Sequence, residues 1–204
     1  MHRLRLLIAL ALTVVVLPAL AGAAVAEKET KSEAEPPLKP IRTADCVFVP
    51  TPNDVVEKML EMAGVKKTDL LYDPGCGDGR IAITAARKYG CRAVGFEIDP
   101  ERVAEARKIV KKRKLEHLVK IEQADIFKLD LSPASVIAIY LLPGMNLKLI
   151  PQLEKLKDGS RIVCHDYPIG GMKADKVVTV TSNEDNVKHT IYLYTLPFKK
   201  AAAE

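Results

Sequence analysis

The sequence predicts an α/β fold built on a mostly parallel sheet of seven strands. Between residues 70 and 165, short runs rich in Val, Ile and Ala alternate with stretches whose apolar residues recur at helical spacing. This alternation is typical of parallel βαβ units. A glycine-rich loop follows the first of these runs, between a strand and a helix. Two β-branched runs, residues 177–181 and 191–196, end the pattern and predict a C-terminal hairpin that adds one antiparallel strand.

Length and composition favour a single folded domain. The chain has 204 residues, of which 48% are hydrophobic, and this is enough for a buried core and excludes a chain that is disordered throughout. The net charge is +5, and Arg3 and Arg5 supply two of these charges in a stretch without acids, residues 1–26. The remaining +3 is too small to indicate a protein that binds nucleic acid.

Residues 1–26 have the pattern of a targeting segment rather than of the fold. Two arginines precede an apolar run over residues 6–17, and Ala24–Ala26 forms an A-x-A cleavage site. We therefore predict a cleaved signal peptide and an exported protein, either periplasmic or secreted. The alternative is an uncleaved membrane anchor over residues 6–26, which is about long enough to span a bilayer.

The folded domain is predicted over residues 46–199. Residues 27–45 are rich in Glu, Lys and Pro, a composition typical of a disordered linker. Cys76, Cys91 and Cys164 fall in a loop, before a strand and within a strand. These positions favour buried single thiols over disulfides. No C-x-x-C motif or histidine cluster stands in the sequence, so no metal is expected.

The first helix of the domain follows Thr51. Thr51 is predicted to be its N-cap, Pro52 its first residue and Asp54 the partner in a capping-box-like pair, and Gly64 ends the apolar stripe. Two interpretations remain open. The helix covers one face of the sheet, or residues 49–51 before it also close over a ligand.

The first strand, residues 70–73, ends in the loop Asp73-Pro74-Gly75-Cys76-Gly77-Asp78-Gly79-Arg80. Glycine at every second position permits positive φ and close approach of a ligand to the backbone, at the start of a helix. A dinucleotide-binding G-x-G-x-x-G loop would have its third glycine where Arg80 stands. An acid at the head of the loop favours a cofactor with a cationic amine and a sulfonium instead. The alternative is that the loop only connects a strand to a helix and binds no ligand.

The second strand, residues 93–96, ends in Glu97, which lies 18 residues after Gly79. A carboxylate at this point is placed to accept hydrogen bonds from both ribose hydroxyls of a bound nucleoside; otherwise it is a solvated loop acid. Pro100 begins the next helix, which closes with four basic residues, 111–114. Cations stabilise a helix C-terminus, and a docking patch for substrate is the alternative.

The third and fourth strands lead to further candidate residues. Asp125 and Ile126 follow the third strand, residues 119–122. Asp125 can accept a hydrogen bond from an adenine amino group and Ile126 can pack on the base, unless Asp125 is only a turn residue. The fourth strand, residues 135–140, is apolar enough to be central. Its exit carries Tyr140, where substrate should meet the cofactor, although Tyr140 could also be a core aromatic.

The last third of the chain completes the sheet. A helix through residues 147–156 leads to a fifth strand, residues 161–164, which is followed by His165 and Asp166. His165 and Asp166 could act together as a general base in catalysis, but strand-end residues of this kind are more often structural. With the C-terminal hairpin, the elements predict a Rossmann-like sheet with one antiparallel strand.

Four stretches carry a resemblance to a known family. They are Val49–Pro52, Asp73–Arg80, Gly95–Pro100 and Tyr140–Pro143. Together they resemble the class I, seven-strand methyltransferases. In particular, they resemble the small membrane-anchored protein-lysine methyltransferases of mitochondria and their bacterial relatives. Members of that group modify inner-membrane proteins such as the adenine nucleotide translocase and the c-type subunit of the ATP synthase. Pro74, where motif I usually has an apolar residue, and the cleavable-looking leader depart from the group.

The resemblance implies an N-methyltransferase that uses S-adenosylmethionine (SAM), with a protein lysine as its acceptor. The implied cofactor-binding residues are Thr51, Asp73, Gly75, Cys76, Gly77, Gly79, Glu97, Ile98, Asp125 and Ile126. Tyr140 and Pro143 are the implied catalytic residues and would shape the amine channel. We expect a monomer whose protein partner can be membrane-associated, without nucleic acid or metal. Methylation of a small molecule and a non-catalytic exported SAM-binding protein are the alternatives.

Overall fold

The structure is a computed structural model that describes residues 38–201. The predicted signal peptide or anchor, residues 1–26, and the first part of the predicted linker lie outside the described residues. Within residues 38–201, none of the helices is both long enough and apolar enough to cross a bilayer.

Helices and strands alternate along the described chain as the sequence predicts. The helices are α1 (Asn53–Met62), α2 (Arg80–Tyr89), α3 (Pro100–Lys112) and α4 (Pro143–Leu153), with a short 3-10 helix at Ile126–Lys128. The strands are β1 (Leu70–Pro74), β2 (Arg92–Glu97), β3 (Val119–Gln123), β4 (Val136–Ile139), β5 (Arg161–His165), β6 (Met172–Lys173), β7 (Lys176–Thr181), β8 (Lys188–Thr195) and β9 (Lys199–Lys200).

Seven of these strands form one sheet in the order β3-β2-β1-β4-β5-β8-β7. Strands β1 to β5 pair in parallel, and β8 runs antiparallel to both of its neighbours. The predicted fold class is therefore confirmed, including the single reversed strand. The chain builds outward from β1 to β3 and then returns to β4 on the other side of β1. Such a reversal opens a crevice at the carboxyl ends of the strands, where ligands bind in open α/β sheets.

The core lies on both faces of this sheet, and β4 shows how. Val136 and Ala138 belong to a cluster that also contains side chains of α1, α2 and α3. Ile137 and Ile139 belong to a second cluster, which contains side chains of α4. All four side chains are fully buried, because successive residues of a strand point to opposite faces. A strand covered on both faces has to be apolar throughout.

Thr51 does not cap α1, so the predicted capping pair with Asp54 is wrong. The cap position is Pro52, and no side chain makes a cap hydrogen bond there. The Thr51 hydroxyl instead forms a 3.0 Å hydrogen bond with Nδ1 of His165. A hydroxyl that has a tertiary partner is no longer available to the helix end.

Three smaller findings complete the fold. Helix α4 ends at Leu153 rather than at residue 156, and Pro151 lies within it. Strands β6 and β9 form a separate two-stranded sheet that the sequence did not predict. All four cysteines are free thiols, and Cys76, Cys91 and Cys164 are buried, as the sequence predicts.

The chain contacts the domain before residue 46. Leu38 packs against the core, and the carbonyl of Lys39 accepts a 2.7 Å hydrogen bond from Nε2 of Gln123. The predicted linker therefore includes residues that belong structurally to the domain, from residue 38 onward.

Candidate active site

A cleft lies at the carboxyl ends of β1, β2 and β4, the place where ligands bind in open α/β sheets. The predicted site residues that line it are Thr51, Asp73, Gly75, Cys76, Glu97, Ile98, Ile126 and Tyr140. The predicted residues that do not line it are Gly77, Gly79, Asp125 and Pro143. The structure thus brings together residues from several separate stretches of the chain.

Glycines let the loop after β1 approach both walls of the cleft. Gly75, Gly77 and Gly79 have φ angles of 79°, 54° and 77°, in the left-handed region where a side chain is strained. A Cβ on Gly75 would lie 2.8 Å from Cδ2 of Leu141. A Cβ on Gly77 would lie 2.0 Å from Cε2 of Phe48. Any other residue at these two positions would have to displace a wall of the cleft.

Asp73 is the buried acid of the cleft. Its side chain is 2% exposed, and its Oδ2 atom has no hydrogen-bond partner among the described residues. Burial raises the pKa of Asp73 to about 8, and the negative charges of Asp78 and Glu97 act in the same direction. A buried carboxyl oxygen without a partner fits a ligand that brings a cationic amine. The residues present therefore fit the amino-acid end of SAM.

Glu97 is fixed at the end of β2 by backbone N–H groups. Its Oε2 atom accepts from the N–H of Gly77 at 2.9 Å. Its Oε1 atom accepts from the N–H groups of Ile98 and Asp99 at 2.7 and 3.0 Å. Glu97 therefore joins the glycine loop to β2 and has a single orientation at the cleft. Its contact with a ribose stays a prediction.

Arg80 ties the approach to α1 to the glycine loop. Its guanidinium forms a two-pronged ion pair with Asp78, in which Nη2 lies 2.7 Å from Oδ2 and Nε lies 3.0 Å from Oδ1. Its Nη1 atom also donates to the carbonyl of Thr51 at 2.9 Å. Arg80, which stands where a dinucleotide-binding loop has its third glycine, therefore links the glycine loop to the segment before α1 at the wall of the cleft.

The exit of β4 supplies an apolar part of the cleft. Tyr140, Leu141 and Met145 line it. Pro143 is the first residue of α4 and is exposed. The amide of Asn146 is buried and donates to the carbonyl of Tyr167 at 3.1 Å. No side-chain amide is therefore found among the described residues that line this end of the cleft.

Another wall of the cleft is formed by the segment before α1, residues 38–49. The sequence indicated only residues 49–51 as candidates that close over a ligand. Arg42 donates to both carboxylate oxygens of Asp125 at 2.9 Å, and this hydrogen bonding lowers the pKa of Asp125. Phe48 covers Gly77, and the guanidinium of Arg102 lies 5.1 Å from the centre of its ring. Both oxygens of Asp125 therefore already have a hydrogen-bond partner. Its contact with adenine stays a prediction.

Two histidines and an aspartate meet behind Tyr140. The ring of His165 lies 4.0 Å from that of Tyr140, centre to centre, and Nε2 of His165 lies 2.9 Å from Nδ1 of His189. Asp166 follows His165 at the end of β5. Burial lowers the pKa of His165. The sequence pairs His165 only with its neighbour Asp166, because His189 comes from β8, 24 residues further on.

The comparisons with known proteins agree with this geometry. The family model of the ANTKMT methyltransferase domain matches residues 73–176, about half of the chain. A protein-lysine N-methyltransferase of Saccharolobus islandicus is 43% identical over 151 residues, which cover 73% of this chain and 92% of that protein. A human lysine N-methyltransferase named for the c-type subunit of the ATP synthase is 32% identical over 146 residues, 71% of this chain. The match spans 62% of the human protein's length.

A solved structure has the same fold. An RNA methyltransferase from Salinibacter ruber, in complex with S-adenosyl-L-homocysteine, superimposes with a TM-score of 0.68 and 45% identity. The match covers 76% of this chain and 98% of that one. The predicted resemblance, enzyme class and use of SAM are thereby confirmed. The chain belongs to the ANTKMT methyltransferase domain family and is a class I, SAM-dependent methyltransferase.

Proposed function

We propose that this methyltransferase transfers a methyl group from SAM to the amine of a lysine side chain in a protein. The relatives that match at 43% and 32% identity are both named lysine N-methyltransferases. The chain covers nearly the whole of the first relative but less than two thirds of the second. The proposal therefore rests more on the first relative and on the chemistry of the cleft.

The single observation that carries the proposal is the apolar exit of β4. Tyr140, Leu141 and Met145 line the cleft there, and no amide or carboxylate stands among these three side chains. Enzymes that methylate planar amines on bases or glutamine commonly present a side-chain amide at this point. An apolar rim with one phenol instead suits the long aliphatic stem of lysine, which buries its methylenes readily.

The residues that would hold SAM lie on the other side of the cleft. Asp73 would accept from the cationic amine, Gly75 would admit the ligand close to the backbone, and Glu97, held by the N–H of Gly77, would accept from the ribose. Ile98 and Ile126 would pack against the adenine. When bound, SAM supplies a methyl group that is already activated by its sulfonium.

The tasks left to the protein are alignment and desolvation. Holding the amine in line with the methyl removes much of the entropic cost of a two-component reaction. The amine has to be neutral to react, and an apolar surrounding lowers the pKa of an ammonium group. Tyr140 and Leu141 supply such a surrounding at the exit of β4. The phenol of Tyr140 would accept or donate a hydrogen bond on the amine side.

The protein partner is proposed to be membrane-associated. Support comes from the human relative, whose name refers to a subunit of the ATP synthase, and from the apolar run over residues 6–17. Either an exported enzyme or a membrane-anchored one would meet such a partner at the bilayer surface.

One observation favours a second candidate, an RNA substrate. The solved Salinibacter ruber structure, at 45% identity, is described as an RNA methyltransferase. The small net charge of the chain speaks against this candidate, because proteins that bind RNA gain affinity from many contacts with phosphates.

Methyl transfer to extracts of the native host separates the two candidates. The purified full chain is incubated with methyl-labelled SAM and, in parallel, with membrane protein, soluble protein and total RNA. We expect label on lysine in the protein fractions, located by peptide mass spectrometry. Label confined to RNA would establish the second candidate, and label confined to small molecules would exclude both.

A further inference from the structure

A cluster at the ends of β5 and β8 has the geometry of a metal site. Three atoms face one another in it, Nε2 of His165, Nδ1 of His189 and Oδ2 of Asp166. The two nitrogens lie 2.9 Å apart, and each lies 3.3 Å from the carboxylate oxygen. Ligand atoms at zinc-type distances of about 2.0–2.2 Å stand about 3.3 Å from one another in a tetrahedral site. The three atoms are therefore spaced as such ligands are, within a few tenths of an ångström.

The outer nitrogens of both rings already have partners of the kind that support metal ligands. Nδ1 of His165 lies 3.0 Å from the Thr51 hydroxyl, and Nε2 of His189 lies 3.1 Å from Oδ2 of Asp185. Histidines that bind metals usually donate their second N–H to a carboxylate, a carbonyl or another oxygen, which fixes the tautomer and the ring. The other ring nitrogens, Nε2 of His165 and Nδ1 of His189, then face each other and Oδ2 of Asp166.

Asp166 is held in position independently of the histidines. Its backbone has a φ of 54°, an unusual conformation for a residue other than glycine. Its other oxygen, Oδ1, accepts from the N–H of Thr190 at 2.8 Å. Only Oδ2 is therefore directed at the two rings, and the side chain is 26% exposed, so solvent can reach the cluster from this side.

The two carboxylates beside the rings favour a cation. A carboxylate can only accept, so Asp185 requires the proton of His189 to lie on Nε2, and Nδ1 of a neutral His189 then has a free lone pair. This lone pair and that of Asp166 both face Nε2 of His165. With both rings neutral, as metal binding requires, the two carboxylates would give the cluster a charge of about −2. No lysine or arginine within residues 38–201 forms an ion pair with either carboxylate.

We propose that His165, Asp166 and His189 bind a divalent first-row transition metal ion, with Zn²⁺ as the type case. A divalent ion neutralises the cluster and satisfies all three converging lone pairs at once. A mixed nitrogen and oxygen donor set with two imidazoles suits Zn²⁺ and its neighbours, whereas Mg²⁺ and Ca²⁺ prefer all-oxygen sites. The ion would join β5 to β8 and would brace His165 behind Tyr140. The proposal is independent of the identity of the methyl acceptor.

Titration of the chelator-treated full chain with Zn²⁺ tests this site. We expect one Zn²⁺ per chain in calorimetry, a rise in the midpoint of thermal unfolding as Zn²⁺ binds the folded state, and no comparable response to Mg²⁺. His189→Ala and Asp166→Asn should each weaken Zn²⁺ binding at least tenfold. His117→Ala is the matched control, because His117 is exposed on a different part of the surface, and it should bind as the unaltered chain does.

Two results would overturn the site. One is the absence of stoichiometric Zn²⁺ binding to the unaltered chain, which would leave a purely hydrogen-bonded cluster in which the Thr51 hydroxyl donates to His165. The other is unchanged Zn²⁺ binding in a folded His189→Ala variant. If the variants fail to fold, Co²⁺ added to the unaltered chain decides. Intense visible d–d bands support nitrogen ligation at low coordination number, and the weak spectrum of hydrated Co²⁺ contradicts it.

Discussion

Asp73 shows how burial at one residue prepares the cleft for a cationic ligand. The carboxyl is buried at the end of β1, and one of its oxygens has no hydrogen-bond partner within residues 38–201. In the absence of a ligand, its raised pKa means that the folded protein holds a proton that the unfolded chain releases above about pH 4. Ionised Asp73 is therefore costly to the fold until a positive group arrives.

The first prediction concerns this cost. As pH rises from about 4 to 8, Asp73 should lower the free energy of unfolding by at most about 1.4 kcal/mol per pH unit. Asp73→Asn removes this dependence, so the stability difference between variant and unaltered chain should move in the variant's favour as pH rises toward 8. Thermal unfolding of the SAM-free full chain from pH 6 to 9 measures it. Parallel curves for the two proteins would show that Asp73 is ionised throughout.

Glu97 is the second residue on which SAM binding is expected to depend. Glu97→Ala removes a charged acceptor from the cleft and frees the N–H of Gly77. We predict a loss of roughly 1.5–3 kcal/mol in SAM affinity, about 10- to 150-fold. Isothermal titration measures the loss, and Glu101→Ala, at an exposed residue of the first turn of α3, is the control. Unchanged affinity in a folded Glu97→Ala variant would place the ribose elsewhere.

Tyr140 is expected to act on the amine side of the cleft. Tyr140→Phe keeps the ring that packs on His165 at 4.0 Å and removes only the hydroxyl. We predict that kcat falls several-fold or more while SAM affinity changes less than twofold, since the hydroxyl is assigned to the amine. Steady-state kinetics and titration with SAM measure the two effects. Equal losses in both would move Tyr140 to the cofactor side.

At the scale of elements, the wall formed by residues 38–49 depends on a few contacts over the glycine loop. Phe48 contacts Gly77 and the guanidinium of Arg102. An aromatic ring paired with a cation in this way is worth about 0.5–2 kcal/mol. This contact adds to the ion pair of Arg42 with Asp125, which holds the same wall further along.

We predict that Phe48→Ala weakens SAM binding roughly tenfold, because the wall loses its anchor beside the loop and the bound ligand is less well covered. Titration with SAM measures this, and Ile41→Ala, at an exposed residue of the same segment, is the control. Tighter binding in Phe48→Ala would have the opposite meaning, namely that the ring occupies space that the ligand needs.

At the scale of the whole molecule, the prediction for residues 1–26 distinguishes a released domain from one anchored to a membrane. The sequence pattern of residues 1–26 predicts cleavage after Ala26. The intact mass of the protein isolated from its native host should therefore lack these residues. A mass that includes them would establish the alternative, an anchor over residues 6–26. Either outcome bears on how the enzyme meets SAM.

The sequence predicted much of the fold because the relevant signals are local. The apolar run of β4, the glycine loop after β1 and the acid that ends β2 each involve residues close in the chain, so each can be recognised from a short stretch of sequence. The handedness and shortness of βαβ connections limit the possible strand orders, and the structure supplied the order itself. The reversed strand was likewise visible in two β-branched runs without a helix between them.

Only the tertiary structure decided which side chains meet across long stretches of chain. Arg42 pairs with Asp125 over 83 residues, and the Thr51 hydroxyl is taken from its predicted cap by His165 over 114 residues. His189 completes a cluster whose other members lie on β5 and directly after it. Such pairs leave no periodic trace in the sequence, since each depends on the packing of whole elements against one another. The sequence by itself therefore determined the glycine loop and the sheet, because their signals are local, and packing decided which side chains surround them.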